Sequence, residues 1–334
     1  MMKKVFMVII LIGPLLLYGL PAGDSQSLAY TGEGQKTLIL KSGSEGQFTD
    51  AMSLAGARFA ERMKQRTNGK IQITHYAASQ LGTWRQMLES IKGGAMAMMV
   101  SGLTGAPIYD AINLPYIFRD LDHADKVING PIGAELARKQ VEKTGIRIFS
   151  WVYRGYRHGT FTKVAVRTPA DMKGMKFRVP ETPVYLETWR AVGARPTPMA
   201  WAEVYTGLQQ GTIDGQENPL DIIISASLFE VQKYLVLTGH VLPPGWAQMS
   251  DKVWQELTPE TQKVWLETWN EVAGEVREEL LKQESKYLET WKAKGGVTIE
   301  PNVAAFREAT KDVWKKFAPK AWGEGVYEKL QDVR

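Results

Sequence analysis

The side chains best placed to do chemistry in this chain are arginines at the ends of predicted strands. From Met175 to Val179 the residues alternate, with Met175, Phe177 and Val179 pointing one way and Lys176 and Arg178 the other. A period of two predicts a half-buried strand, which Pro180 ends. Arg178 then stands at the strand's carboxyl end, where open α/β sheets place their ligands. Its planar fork of donors suits a carboxylate gripped by two parallel hydrogen bonds. A surface ion pair is the competing role for such an arginine.

Catalytic chemistry finds less support. None of the four histidines, His75, His123, His158 and His240, pairs at a metal-ligand spacing such as His-x-x-x-His. The chain has no cysteine, which removes zinc clusters, thiol catalysis, disulfides and a lipid-anchored mature N-terminus. No serine stands in a nucleophile elbow. The Asp and Glu residues are dispersed, as on solvated helix faces.

The elements that must position Arg178 follow from hydrophobic periodicity. Residues 37–41 predict a first strand and 43–46 a turn. Residues 50–67 predict a helix with Met52, Ala55, Phe59 and Met63 on one face. A second strand spans 70–76, a helix 83–92, and the apolar run 95–100 reads as a buried parallel strand. A second such pattern runs through 146–152, 164–166, 175–179 and 213–216. Strands alternating with helices at this spacing predict α/β domains. Thr258-Pro259-Glu260 is a helix start, and from Val264 to Trp291 apolar residues recur at spacings of three and four until Gly295-Gly296. Such a helix would be about 50 Å long. A coiled-coil dimer strand would need a more regular stripe. Residues 297–301 and a last helix from Val303 complete the chain.

The N-terminus opens with Lys3 and Lys4, an apolar run from Val5 to Leu20, and small residues after it. This predicts a cleaved secretory signal over 1–29, with Ala22 or Ala29 as cleavage positions; Gly13 and Pro14 argue against a membrane span. Its removal takes away Lys3, Lys4 and Asp24 and lowers the formal charge from +5 to +4, leaving 39 basic against 35 acidic residues. That balance is compatible with an anionic small ligand. No dense basic stripe interleaved with aromatics points to nucleic acid.

Eight short motifs occur in order along the mature chain: Thr-Asn-Gly-Lys at 67–70, Ser-Gln-Leu-Gly at 79–82, Leu-Pro-Tyr at 114–116, Gly-Tyr-Arg at 155–157, Lys-Phe-Arg-Val-Pro at 176–180, Pro-Thr-Pro-Met-Ala at 196–200, Glu-Val-Tyr at 203–205 and Asp-Gly-Gln-Glu-Asn-Pro at 214–219. In this order and spacing the chain resembles the solute-binding proteins of TRAP (tripartite ATP-independent periplasmic) transporters, the DctP family. The resemblance implies a two-lobed periplasmic-binding-protein fold of α/β class, with a ligand cleft between the lobes and a long helix bracing both. The expected division is 1–29 signal peptide, 36–154 plus 244–283 as lobe I, and 155–243 plus 284–334 as lobe II.

The implied function is capture of a small organic acid, a C4-dicarboxylate or a sugar acid, and its delivery to the membrane permease subunits. A periplasmic protein serving a sensor and a secreted α/β enzyme are the alternatives. Arg178 matches the family arginine that makes the bidentate carboxylate contact, and Arg157 matches a second one; its bland role is a strand-end ion pair. Asn218 matches a residue bonding the same carboxylate, unless it caps a helix before Pro219. Trp201 stands where relatives place an aromatic against the ligand, or it is ordinary core. Glu181 would accept from hydroxyls, or cap a helix. The first lobe would contribute Ser44 in the turn 42–46, Gln80, and the pair Ser101-Gly102. Gly102 replaces an acid of the sialic-acid-binding branch, which points away from that ligand. Asn218 replaces the Trp of the metal-using α-keto-acid branch, so neither metal nor other cofactor is expected. A periplasmic monomer is the expected state.

Overall fold

The alternating segments of the first 150 residues contribute four strands to one mixed sheet. The structure, a computed structural model, describes residues 30–334; the expected signal at 1–29 lies outside them. Strands β1 (Leu38–Gly43), β2 (Ile71–Tyr76), β3 (Met98–Ser101) and β4 (Ile146–Val152) belong to this sheet. Strands β5 (Arg157–Phe161), β6 (Lys176–Val179), β7 (Arg195–Pro198), β8 (Gly215–Pro219) and β9 (Tyr234–Val241) belong to a second. The chain then returns to the first sheet as β10 (Gly245–Ser250) and to the second as β11 (Val297–Ile299). The strand orders are β2-β1-β3-β10-β4 and β11-β9-β5-β8-β6-β7. Two α/β lobes result, and the chain crosses between them at 153–156, at 242–244 and along one long helix.

Local chemistry explains most elements. Asp50 caps the helix Ala51–Arg66 by accepting from Met52 N, and Thr83 with Gln86 forms a capping box on Trp84–Gly93. Strand β7 carries Pro196 and Pro198 and accordingly lies at a sheet edge, paired only with β6. Strand β10 is buried at all six positions between β3 and β4 and runs antiparallel to both. The expected strand at 164–166 does not form: Val166 N donates to Val164 O at 3.1 Å, a turn that breaks extension. The second sheet uses β5 instead.

The long helix spans Pro259–Ala293, with Thr258 as its N-cap. Trp265 and Trp269 anchor it in the first lobe, where Phe59 meets their rings edge-on at 4.9 and 5.2 Å. Near its other end Trp291 is buried in the second lobe beside Leu235. Along it, Glu271, Glu275 and Glu279 pair with Arg66, Arg62 and Arg58 of the antiparallel first helix. Exposed pairs of this kind contribute little each, but their four-residue repeat suits one register.

The end of the chain departs from the expected lobe boundaries. Helix Val303–Thr310 packs on β9 in the second lobe, but Trp314–Trp322 and Val326–Gln331 pack on the first. Trp322 Nε1 donates to Ile108 O at 2.7 Å and Gln331 Nε2 to Ile117 O at 2.8 Å. The assignment of all of 284–334 to lobe II is therefore corrected. The apolar faces of these helices are buried against Ile108, Ile117 and Phe118 of the first lobe, so the chain crosses once more after Thr310.

Candidate functional site

Between the lobes lies a cavity of about 610 Å³, counting space open to solvent. The first lobe lines it with Glu45, Gly46, Met52, Trp84, Ser101 and Gly102. The crossover contributes Arg154, and the second lobe Arg157, Arg178, Glu181, Tyr185, Trp201 and Asn218. Three guanidinium groups thus face one space.

Arg178 is held from behind. Strand β6 places it between β8 and β7, and its Nε and Nη2 donate to Met199 O at 3.0 and 2.7 Å. Its Nη1 makes no hydrogen bond among the described residues. Burial lowers its pKa to about 10, with Glu217 acting in the opposite direction, so it stays charged at neutral pH. The group is fixed, desolvated and cationic, which is what a carboxylate anchor needs.

Arg157 is more heavily engaged. In the antiparallel pairing of β5 with β8 it lies opposite Pro219, which puts Glu217 on the diagonal of the same face. Its Nε and Nη2 grip both carboxylate oxygens of Glu217, the second at 2.7 Å. Nη2 also donates to Glu217 O. Burial alone would lower the pKa of Arg157, but Glu217 holds it above its ordinary value. Burial likewise works to raise Glu217, and Arg157 and His240 outweigh it. Burial lowers His240, which keeps it neutral. Its Nε2 can then donate to Glu217 at 2.9 Å while Nδ1 accepts from Thr238. The strand-end ion pair weighed for Arg157 is present, and the same residue lines the cavity beside Tyr185, whose ring centroid is 5.1 Å away.

Asn218 lies in β8 and caps nothing; helix Leu220–Ser225 starts from Pro219. Its Nδ2 donates to Gln216 Oε1 at 2.6 Å, and Gln216 is itself fixed on Thr160. Trp201 is half-buried at the wall, with the Arg178 guanidinium 5.7 Å from its ring centroid. Glu181 receives Arg85 from across the cleft: Arg85 Nη2 donates to Glu181 O at 2.5 Å, and Nε lies 3.5 Å from Oε2.

Ser44 and Gln80 are not brought to the cavity, and both expectations are corrected. Ser44 is fully buried and turned inward, bonded to Ser53 Oγ at 2.7 Å and His75 Nε2 at 3.2 Å. Its neighbours Glu45 and Gly46 line the wall instead. The turn carrying Gln80 docks by backbone, Ala78 N to Gly46 O and Ser79 N to Ser44 O, which leaves the Gln80 side chain exposed.

Sequence reasoning passed over Arg154, Glu45, Trp84, Tyr185 and Glu217. Glu217 lies inside a motif already singled out, and Arg154 is three residues before Arg157. Burial raises the pKa of Glu45, whose Oε1 accepts from Trp84 N at 3.0 Å. Among the described residues no group of three or more His, Cys, Asp or Glu is arranged to hold a metal ion.

Two α/β lobes joined by several crossings, with arginines facing a cleft between them, define a solute-binding protein. The chain belongs to bacterial extracellular solute-binding protein family 7 (DctP), whose family model matches residues 45–320. This is the family of TRAP transporter solute-binding components, which are periplasmic. It is 31% identical over 314 residues, 91% of this chain and 93% of the relative, to the 2,3-diketo-L-gulonate-binding periplasmic protein of Escherichia coli K12. The crystal structure of a TRAP periplasmic solute-binding protein from Roseobacter denitrificans with bound L-galactonate superposes with a TM-score of 0.84 at 31% identity, covering 89% of this chain and 100% of that one. One from Polaromonas sp. JS666 bound to D-erythronate gives 0.84 at 31%, covering 89% and 99%. No helix among the described residues is long and apolar enough to cross a membrane.

Proposed function

We propose that this chain is exported through a cleaved signal peptide, captures a sugar acid in the cleft and delivers it, as a monomer, to the membrane permease subunits. The observation that carries the reading is Arg178: buried, charged, clamped on Met199 O, and lining the cavity with Nη1 uncommitted. Arg178 would bind the carboxylate bidentately through Nη1 and the outer edge of the fork, with Arg157 and Asn218 completing its hydrogen bonds. Trp201 would pack the carbon face of the ligand. Glu45 and Glu181 would accept from hydroxyls. The acids named for the relatives, galactonate and erythronate, support a polyhydroxylated acid rather than an apolar one.

Capture would couple to hinge closure, because the ligand's differential affinity for the closed state drives it. The cross-cleft contacts from Arg85 to Glu181 and from Tyr185 OH to Asn113 Oδ1 would help to hold that state. Delivery then consists of presenting the closed form to the permease. Binding rather than turnover is the proposed activity.

A thermal-shift screen of the protein lacking 1–29 against sugar acids tests the reading. A ligand at about 100 times its dissociation constant adds about 2.7 kcal/mol of stability. The expected result is a rise in melting temperature of several degrees with at least one sugar acid. No shift with any acid, from folded and ligand-free protein, would overturn it.

A further inference from the structure

Arg154 is a charged side chain that the mechanism above leaves without a role. It stands in the crossover between β4 and β5, beside Gly155 with its left-handed φ of 76°, and is only 5% exposed. Its guanidinium donates no hydrogen bond among the described residues, and its buried Nε has no partner. The three acids in electrostatic reach, Asp50, Asp221 and Glu45, form no ion pair with it. All three are committed to backbone amides, Glu45 to Trp84 N. Asp50 Oδ1 accepts from Met52 N at 2.9 Å, and Asp221 accepts from Ile222 N at 2.7 Å and Ala51 N at 3.2 Å. Burying a charge without a partner is costly, and removing that cost takes an anion with good geometry.

The fold also makes room for this group. A Cβ at Gly102 would lie 2.3 Å from Arg154 Nη1, so the absence of a side chain there lets the guanidinium reach the cavity wall. Arg157 is saturated by Glu217 on two of its three nitrogens, whereas Arg178 and Arg154 both keep donors for a ligand. Glu45 lines the same cavity and, with Oε1 on Trp84 N, offers its other carboxylate oxygen for hydroxyls.

We propose that the cavity takes a polyhydroxylated dicarboxylic acid, and that Arg154 is the specificity-determining residue that binds its second carboxylate. This rests on the sugar-acid reading with Arg178 as the first anchor. It narrows the ligand class from sugar acids in general to those oxidised at both ends. The second carboxylate would occupy the Gly102 side of the cavity and accept from the fork of Arg154.

Titration calorimetry on matched pairs tests this: D-glucarate against D-gluconate, galactarate against galactonate, and tartrate against threonate. The wild type should bind the diacid of at least one pair about tenfold more tightly, the worth of one charge-assisted hydrogen bond. Arg154→Met should remove that preference, costing the diacid about tenfold more affinity than its paired monoacid. Gly102→Ala, which keeps the charge but displaces the guanidinium, should lower the diacid preference in the same sense and serves if Arg154→Met does not fold. Monoacids binding as tightly as diacids in the wild type, or equal losses for both in the variants, would overturn the inference and leave the sugar-acid reading standing. Failure of every acid to bind the wild type would overturn both.

Discussion

Arg178→Ala is expected to weaken sugar-acid binding by about 30-fold to several-thousand-fold, with the chain still folded. Removing one partner of a buried, hydrogen-bonded charge pair costs about 2–5 kcal/mol, and each 1.4 kcal/mol is a factor of ten. The upper part of that range is favoured here. Arg178 is 4% exposed and its guanidinium is already oriented by Met199 O, so a carboxylate meets it with little ordering left to do. Arg178→Lys should recover only a small part, because a point charge cannot reproduce the fork. Stability should change far less than affinity, since the loss within the protein is confined to the donors on one carbonyl. Calorimetric titration with the acid found by thermal shift, beside a melting curve of each variant, separates the two quantities. Affinity within about threefold of the parent would remove Arg178 from the site.

Glu217→Ala is expected to act on the fold instead. It leaves Arg157 buried at 3% exposure with its principal partner gone, and it strips His240 of an acceptor. Breaking a buried pair from one side costs about 3–5 kcal/mol. For a chain of this size that corresponds to a fall in melting temperature of about 6–20 °C. Arg157→Met combined with Glu217→Leu should recover part of the loss, because two apolar groups leave no unpaired charge. Thermal unfolding followed by circular dichroism measures both. A melting temperature for Glu217→Ala within about 2 °C of the parent would show that Arg157 finds another partner, and that Glu217 does not hold it.

What the chain discloses without its structure depends on whether a feature is local. The strand bearing Arg178 was legible because period-two alternation and a terminating proline are written within six residues. The long helix was legible from its Thr-Pro-Glu start and its Gly-Gly stop. The engagement of Arg157 by Glu217 was not, because it follows from the register of two strands about sixty residues apart. Ser44 and Glu45 show the same limit at one-residue scale. The turn was placed correctly, but which neighbour faces the cavity is decided by the hydrogen bonds of Ser44 to Ser53 and His75. Strand β10 carries no alternation because it is buried on both faces, so nothing separates it from an apolar loop. The return of the last two helices to the first lobe depends on which apolar surface is left uncovered there, a property of the assembled fold. Arg154 escaped notice because its meaning lies in the void above Gly102, 52 residues earlier in the chain.

Charge recognition is the centre of the account, and the most direct measurement compares an acid with a neutral molecule of the same carbon skeleton. Titration calorimetry of the protein lacking 1–29 with sugar acids, and with the alditols obtained by reducing their carboxylates, makes that comparison. The account predicts saturable binding of at least one acid and affinity for its alditol lower by about 30-fold or more. An alditol that binds as tightly as its acid would contradict it, because the buried arginines facing the cleft would then have no part in what the cleft selects.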